Sequence, residues 1–260
     1  MVIDLPAKAA RFRALHERDG AFVIPNPWDI GSARLLAGLG FEALATTSSG
    51  FAYALGRGDG AVTRDEVLAH IAALNDATDL PVSADLEQCF ADDPKAAAET
   101  ITLAGDAGAA GGSIEDWSGP QGDEIYEIGL ATDRVAAAVE AARALPFAFT
   151  LTARAENLIR GRMDLDDTIK RLQAFEAAGA DVLYAPGLKS LEEVRTVCAA
   201  VTKPVNILAT PKLTVADIAD AGARRISIGG ALARAAVGGF LGVARDIRKR
   251  GDFSALGATP

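Results

Sequence analysis

Cysteine and histidine are scarce, with two of each in 260 residues. Cys89 and Cys198 lie far apart and outside any Cys-x-x-Cys spacing. That excludes a disulfide framework and a cysteine zinc site, and it fits a reducing compartment. His16 and His70 fall in stretches that read as helices, so no serine at a strand end has a histidine base and a Ser-His-Asp mechanism has no support. Positive charge is also short: 26 Lys and Arg against 35 Asp and Glu leave a net charge of −9. A nucleic-acid or anionic-membrane footprint is thereby missing. No apolar run approaches the roughly 20 residues of a membrane span, and no cationic start leads into a hydrophobic segment. The expectation is a soluble, cytoplasmic protein that binds neither nucleic acid nor membrane.

What is present is ample apolar material, half of the chain, in a strict alternation. After an entry helix over residues 8–19, short apolar runs that read as strands end near Pro25, Thr46, Asp85, Glu115, Arg154, Tyr184, Leu208 and Ile228. Each is followed by a helix-period segment. Thr63-Arg64-Asp65-Glu66 and Ser190-Leu191-Glu192-Glu193 read as capping boxes. Ala177-Ala178-Gly179-Ala180-Asp181 and Asp220-Ala221-Gly222-Ala223-Arg224 read as glycine-terminated helix exits. The count predicts a closed (β/α)₈ barrel over residues 1–260 as a single domain, with a loose tail at 251–260. An open doubly wound sheet competes less well, because its Gly-x-Gly-x-x-Gly turn after the first strand is absent.

In such a barrel the chemistry gathers at the C-terminal ends of the strands. Strand three ends Pro81-Val82-Ser83-Ala84-Asp85-Leu86-Glu87, and alternation along a strand predicts that Asp85 and Glu87 face one site about 7 Å apart. Strand four ends in Glu115 and Asp116, strand five in Arg154 with Glu156 beyond it. Asn206 stands near the end of strand seven. Several carboxylates at one rim repel unless a proton or a hard cation such as Mg²⁺ intervenes. The fork of Arg154 suits a substrate carboxylate, and a bridge to Glu156 or Glu115 is its structural alternative. Cys89, close to the acids in sequence, reads as a buried, inert thiol.

Taken in order, Pro25-Asn26-Pro27-Trp28-Asp29, Thr47-Ser48-Ser49-Gly50-Phe51, Gly58-Asp59, Asp85-Leu86-Glu87, Ile114-Glu115-Asp116 and Ala153-Arg154-Ala155-Glu156 resemble the isocitrate lyase and phosphoenolpyruvate mutase superfamily over essentially the whole chain. The resemblance implies that the backbone of Ser49, Gly50 and Phe51 holds substrate oxygens. It implies a catalytic Asp59, Mg²⁺ held by Asp85, Glu87 and Glu115 largely through water, and Arg154 on the substrate carboxylate. Asp59, Glu115 and Arg154 are the expected catalytic residues, and Asn206 joins the expected substrate contacts. The implied chemistry makes or breaks a P–C or C–C bond next to a 2-oxo acid through a pyruvate enolate-type species. The substrate class is a small 2-oxo or enolpyruvyl acid. The resemblance further implies a homodimer or homotetramer, in which residues 230–250 pack on a neighbour.

Two stretches depart from the pattern. The lyases carry a Lys-Lys-Cys-Gly-His-type loop after strand four, and the mutases a lysine and an asparagine there. This chain has Trp117-Ser118-Gly119-Pro120-Gln121-Gly122-Asp123. After strand six, Tyr184-Ala185-Pro186-Gly187 replaces the histidine of mutases and the glutamate of methylisocitrate lyases. The reading is therefore a mutase-like enzyme. A C–C lyase or oxaloacetate-type hydrolase is the alternative within enzymes, and a non-catalytic ligand-binding barrel lies outside them. Residues 117–122, with glycines at 119 and 122, are expected to form a mobile lid over a smaller substrate. Ile228-Gly229-Gly230-Ala231 reads as packing clearance in preference to a phosphate cradle.

Overall fold

The computed structural model describes residues 4–257. Eight short strands are β1 (Phe22–Ile24), β2 (Leu44–Ala45), β3 (Val82–Asp85), β4 (Gly111–Glu115), β5 (Thr150–Arg154), β6 (Val182–Tyr184), β7 (Val205–Leu208) and β8 (Arg225–Ser227). All paired neighbours run parallel, in the order β1-β8-β7-β6-β5-β4-β3-β2. The helices are α1 (Leu5–Glu17), α2 (Ile30–Gly38), α3 (Ser48–Ala54), α4 (Arg64–Ala77), α5 (Pro94–Asp106), α6 (Ile128–Ala144), α7 (Leu165–Ala177), α8 (Leu191–Ala200), α9 (Val215–Asp220) and α10 (Ala231–Arg250). This is the expected (β/α)₈ barrel. No described helix is long and apolar enough to cross a membrane.

The ring closes without a ladder between β1 and β2. Ala45 N–H donates to the Pro25 carbonyl at 3.0 Å, and the Asn26 amide completes the seam. Its Nδ2 donates to Thr46 O at 2.9 Å, while its Oδ1 accepts from the N–H groups of Ile228 (2.9 Å) and Gly229 (2.8 Å). One side chain thus ties the ends of β1, β2 and β8.

Local chemistry accounts for the helix ends. Both expected capping boxes form, at Thr63–Glu66 and Ser190–Glu193. Gly179 and Gly222 both leave their helices at φ 101°, a conformation that costs a side-chain-bearing residue roughly 1 kcal/mol or more. The entry helix starts earlier than expected because Asp4 caps it and Pro6 takes a first-turn position. It stops the bottom of the barrel: Phe12 and Leu15 pack on Phe22 and Ile24. Lys8 fastens it there, donating to Asn75 O (3.0 Å) and Thr78 O (2.7 Å) at the C-terminus of α4. Orphan helix carbonyls are good partners for a cation.

The main apolar core lies between the sheet and the outer helices, around Ile71, Leu86, Ile101, Leu151, Leu172 and Phe175. The inside of the barrel is different. Ser83, Ser113, Thr152, Asn206, Arg225 and Ser227 are buried there with small Ala45, where a (β/α)₈ interior is more often filled by branched apolar side chains. Of the expected tail, Ser254–Gly257 forms a short 3₁₀ turn, and 258–260 lie outside the described residues.

Candidate active site

A cavity of ≈ 450 Å³ opens at the C-terminal ends of the strands and continues down between them. Thr46, Thr47, Ser48, Ser49, Asp59, Asp85, Arg154, Glu156, Arg160, Tyr184, Arg225 and Arg234 contribute to its wall. Rim acids therefore meet four arginines in one place.

Asp85 is the hub. It ends β3, and its Oδ2 accepts from Ser48 N–H at 3.0 Å. Its Oδ1 accepts from Arg154 Nη1 at 2.9 Å, and its own N–H is held by Thr46 Oγ1 at 2.7 Å. Glu87 reaches the neighbourhood by a different route from the one expected. The strand stops at Asp85 and Glu87 takes φ 51°, so a left-handed turn, not strand alternation, carries its carboxylate. That turn continues through Cys89 (φ 58°) and Phe90 (φ 57°). Glu87 is 6% exposed, and its Oε1 is buried with no hydrogen-bond partner. Burial, then Asp85 and Asp59, push its pKa up to about 8. Asp59 is also raised, chiefly by burial, against the lowering effect of a Ser48 hydrogen bond and with Asp85 adding to the rise.

The structure thus draws Asp59, Asp85 and Glu87 into mutual repulsion. Glu115 has another setting. It is 4% exposed and faces Arg154 Nη2 at 3.1 Å and Arg160 Nη2 at 4.0 Å. Burial and then Glu156 raise its pKa well above the ordinary carboxylate value. Among the described residues no three acidic, histidine or cysteine side chains converge as a direct ligand set. The oxygen donors of Asp85 and Glu87, with one orphan oxygen between burial and repulsion, suit a hard ion that keeps most of its water.

Arg154 holds the network together. Besides Asp85 and Glu115 it donates to Glu156 Oε1 from Nε (3.0 Å) and Nη2 (2.7 Å). Burial works against its charge, but Glu156, Glu115 and Asp85 outweigh that and move its pKa up. Arg154 bridges the two glutamates, its structural alternative, and it also lines the cavity. The register explains the grouping, since Asp85 lies opposite Ser113 and Glu115 opposite Arg154 on adjacent strands. Asp116, by contrast, faces the outer layer, accepting from Glu156 N–H (2.7 Å) and Arg171 Nη1 (3.1 Å).

The expected substrate turn is a helix. Thr47 caps α3, so Gly50 N–H goes to Thr47 Oγ1 (3.4 Å) and Phe51 N–H to Thr47 O (3.0 Å). Their amides are committed, and of Ser49, Gly50 and Phe51 only Ser49 lines the cavity. The Phe51 ring stacks on His70 with centroids 3.9 Å apart, so the helix carrying the turn rests on the buried face of α4. Asn206 is likewise displaced from its expected role. It is fully buried one layer below the mouth, with Oδ1 accepting from Arg225 Nε and Nδ2 donating to Ser227 Oγ, both at 3.0 Å. Leu208, two residues on, takes the place at the cavity wall.

The segment after β4 is a folded hairpin. Trp117 pairs with Ile125, Ser118 N–H donates to Glu124 O at 2.8 Å, and the Arg160 guanidinium sits 3.3 Å from the Trp117 ring centre. Cys89 is fully buried and its thiol is pushed up to about 12 by burial, which matches the inert reading. The Gly229-Gly230 turn is packing clearance: the Ile228 and Gly229 amides are taken by Asn26, and a Cβ at Gly230 would stand 2.5 Å from Ser49 Oγ. Arg160, Arg225 and Arg234 were not singled out from the sequence. The signal for Arg225 was its place two residues before Ser227 on the same strand face.

The chain matches the phosphoenolpyruvate phosphomutase family over residues 12–248. It is 31% identical to the 2-methylisocitrate lyase of Escherichia coli K12, covering 85% of this chain and 77% of that protein. Among solved structures, a candidate lyase/mutase from Burkholderia cenocepacia J2315 superposes with a TM-score of 0.96 at 55% identity, covering 98% of this chain and 93% of that one. A phosphonopyruvate hydrolase crystallised with oxalate and Mg²⁺ superposes with a TM-score of 0.87 at 25% identity, covering 97% and 91%. The expected ancestry is correct: this barrel belongs to the phosphoenolpyruvate mutase/isocitrate lyase superfamily of enzymes.

Proposed function

We propose that the protein is a Mg²⁺-dependent, phosphoenolpyruvate mutase-like enzyme. It makes or breaks a P–C or C–C bond next to a 2-oxo acid through an enolate-type species. The observation that carries this reading is the pair Asp59 and Asp85 beside Arg154 on one cavity, repelled by the buried Glu87 whose Oε1 is unpartnered. Asp85 and Glu87 would hold the ion, with Glu115 behind them through Arg154. When bound, it supplies positive charge next to a developing oxyanion. Arg154 orients the substrate carboxylate with whichever N–H groups Asp85 gives up. Ser49 borders the same space, and Tyr184, lying under Arg154 with 5.2 Å from guanidinium carbon to ring centre, fixes the direction of the fork.

Relatives that cleave 2-methylisocitrate or hydrolyse phosphonopyruvate support a small carboxylate substrate. A C–C lyase or hydrolase acting on the same acid group is the second reading, and it differs in what leaves the 2-oxo acid. The long α10 buries only Ala233 and leaves Phe240 70% exposed, which supports association of copies through this helix.

The test is turnover of phosphonopyruvate, oxaloacetate and 2-methylisocitrate with and without Mg²⁺, on wild type and Asp85→Asn. The expected result is Mg²⁺-dependent formation of a pyruvate-type product, and a Mg²⁺-dependent rise in Tm that Asp85→Asn loses while remaining folded. Equal turnover after chelation, or an unchanged Mg²⁺ response in the variant, would remove the metal assignment. A Tm response without turnover of any of the three would favour a ligand-binding barrel.

A further inference from the structure

Arg225 enters the barrel interior from β8 and is 4% exposed. Among the described residues it makes no salt bridge, and its hydrogen-bond partners are neutral. Nε donates to Asn206 Oδ1 and Nη1 to Thr152 Oγ1, both at 3.0 Å. Among the described residues Nη2 has no hydrogen-bond partner, and the side chain lines the lower part of the cavity.

A guanidinium stays ionised under any ordinary condition. Burying one without a counter-charge costs several kcal/mol, because amide and hydroxyl dipoles replace water only in part. The groups that bear on its charge are Tyr184 and Arg154, with no carboxylate among them, and burial lowers its pKa to about 10. The rim acids already have their own arginine. Ala45, Ser83, Ser113 and Ser227 on the same wall are small and leave space in front of Arg225.

We propose that Arg225 forms a second, separate anion site on the barrel axis, beneath the rim network, which takes a small monovalent anion: a halide, or one oxygen of a small carboxylate. Two of the three guanidinium nitrogens are committed to Asn206 and Thr152, so the site offers the one remaining nitrogen. That suits a point-like anion better than a bidentate one. The site does not depend on which reaction the rim performs, so either reading can fail without the other.

The experiment uses the full-length wild type, Arg225→Met and Arg154→Met, at fixed pH and ionic strength, with sodium gluconate as the bulky reference salt. Bromide and formate are each exchanged for gluconate while Tm is followed. The expected result is a saturable rise in Tm in wild type, lost in Arg225→Met and retained in Arg154→Met. A response to formate alone assigns the site to a ligand carboxylate, and a response to bromide as well assigns it to a free point anion. The proposal is overturned if neither salt differs from gluconate, or if Arg225→Met responds like wild type. Should Arg225→Met fail to fold, wild-type crystals soaked in bromide decide: an anomalous peak at hydrogen-bond distance from Nη2 supports the site, and its absence refutes it.

Discussion

Removing the charge of Arg154 while keeping its bulk, in Arg154→Met, should cost stability before any effect on turnover is considered. The side chain is 14% exposed and bonds Asp85, Glu115 and Glu156, whose side chains are 16%, 3% and 0% exposed. Taking one partner from a buried ion pair costs about 3–5 kcal/mol, since the remaining charge is stranded. The low end applies, because Glu156 keeps Arg160 at 3.1 Å and Asp85 keeps the Ser48 amide. We expect a loss of about 3 kcal/mol in urea unfolding at unchanged m-value. The sign of its pH dependence follows from Glu115, already raised by burial and Glu156 with Arg154 opposing. An acid with a raised folded-state pKa stabilises fully only below its unfolded pKa, and that contribution is lost as pH rises through the folded one. Without Arg154 the rise is larger, so the deficit should grow from mildly acidic to mildly alkaline conditions. Arg154→Lys should recover part of the stability yet lower kcat/KM by the equivalent of about 2–4 kcal/mol, as a point charge replaces a fork. A loss below about 1 kcal/mol in Arg154→Met, or a deficit flat with pH, would refute the buried-network account.

Two further outcomes are expected. His70 is buried against Phe51 and its pKa is lowered to about 4 by burial, against an ordinary 6.5; the unfolded chain therefore binds a proton that the folded one refuses. Its contribution is complete above the unfolded value and is lost as pH falls toward the folded one, so His70→Phe should flatten the stability–pH slope there by up to about 1.4 kcal/mol per pH unit. Identical slopes in the two proteins would contradict this. Isocitrate and 2-methylisocitrate cleavage should be lower by several orders of magnitude than in a competent lyase. The hairpin from Trp117 to Asp123 carries no cysteine, histidine or lysine, and Asp123 accepts from Trp117 Nε1 at 3.3 Å. Robust glyoxylate or succinate release would overturn that expectation and favour the lyase branch.

The barrel was legible because each βα unit repeats its punctuation: capping boxes at Thr63 and Ser190, left-handed glycines at Gly179 and Gly222. Asp85, Glu115 and Arg154 were legible because neighbouring parallel strands bring their ends together. What was missed has a common cause, a backbone state that side-chain identity does not announce. Nothing in a glutamate marks the left-handed turn at Glu87. Thr47-Ser48-Ser49-Gly50 carries turn chemistry yet folds as a capped helix, which diverts the Gly50 and Phe51 amides. Asn206 was placed one layer too high, since only the register shows that Leu208 stands at the mouth. Arg225 escaped because it begins its strand, and the chemistry was sought at the strand ends.

The Asn26 seam has a consequence for how the protein opens. Wherever two strands share a ladder, several bonds must break together before they separate. At the β1–β2 junction, one backbone bond and a single amide side chain do that work. Local openings with few bonds to break lie at the low end of a protein's free-energy scale. In hydrogen–deuterium exchange, the Ala45, Ile228 and Gly229 amides should therefore exchange ahead of the β3–β5 amides. Because β2 runs directly into α3 and β8 into α10, the same opening would part the Ser49 wall of the cavity from the Gly230 turn. The active site would then lose its shape in a partly unzipped barrel whose acidic network is still folded.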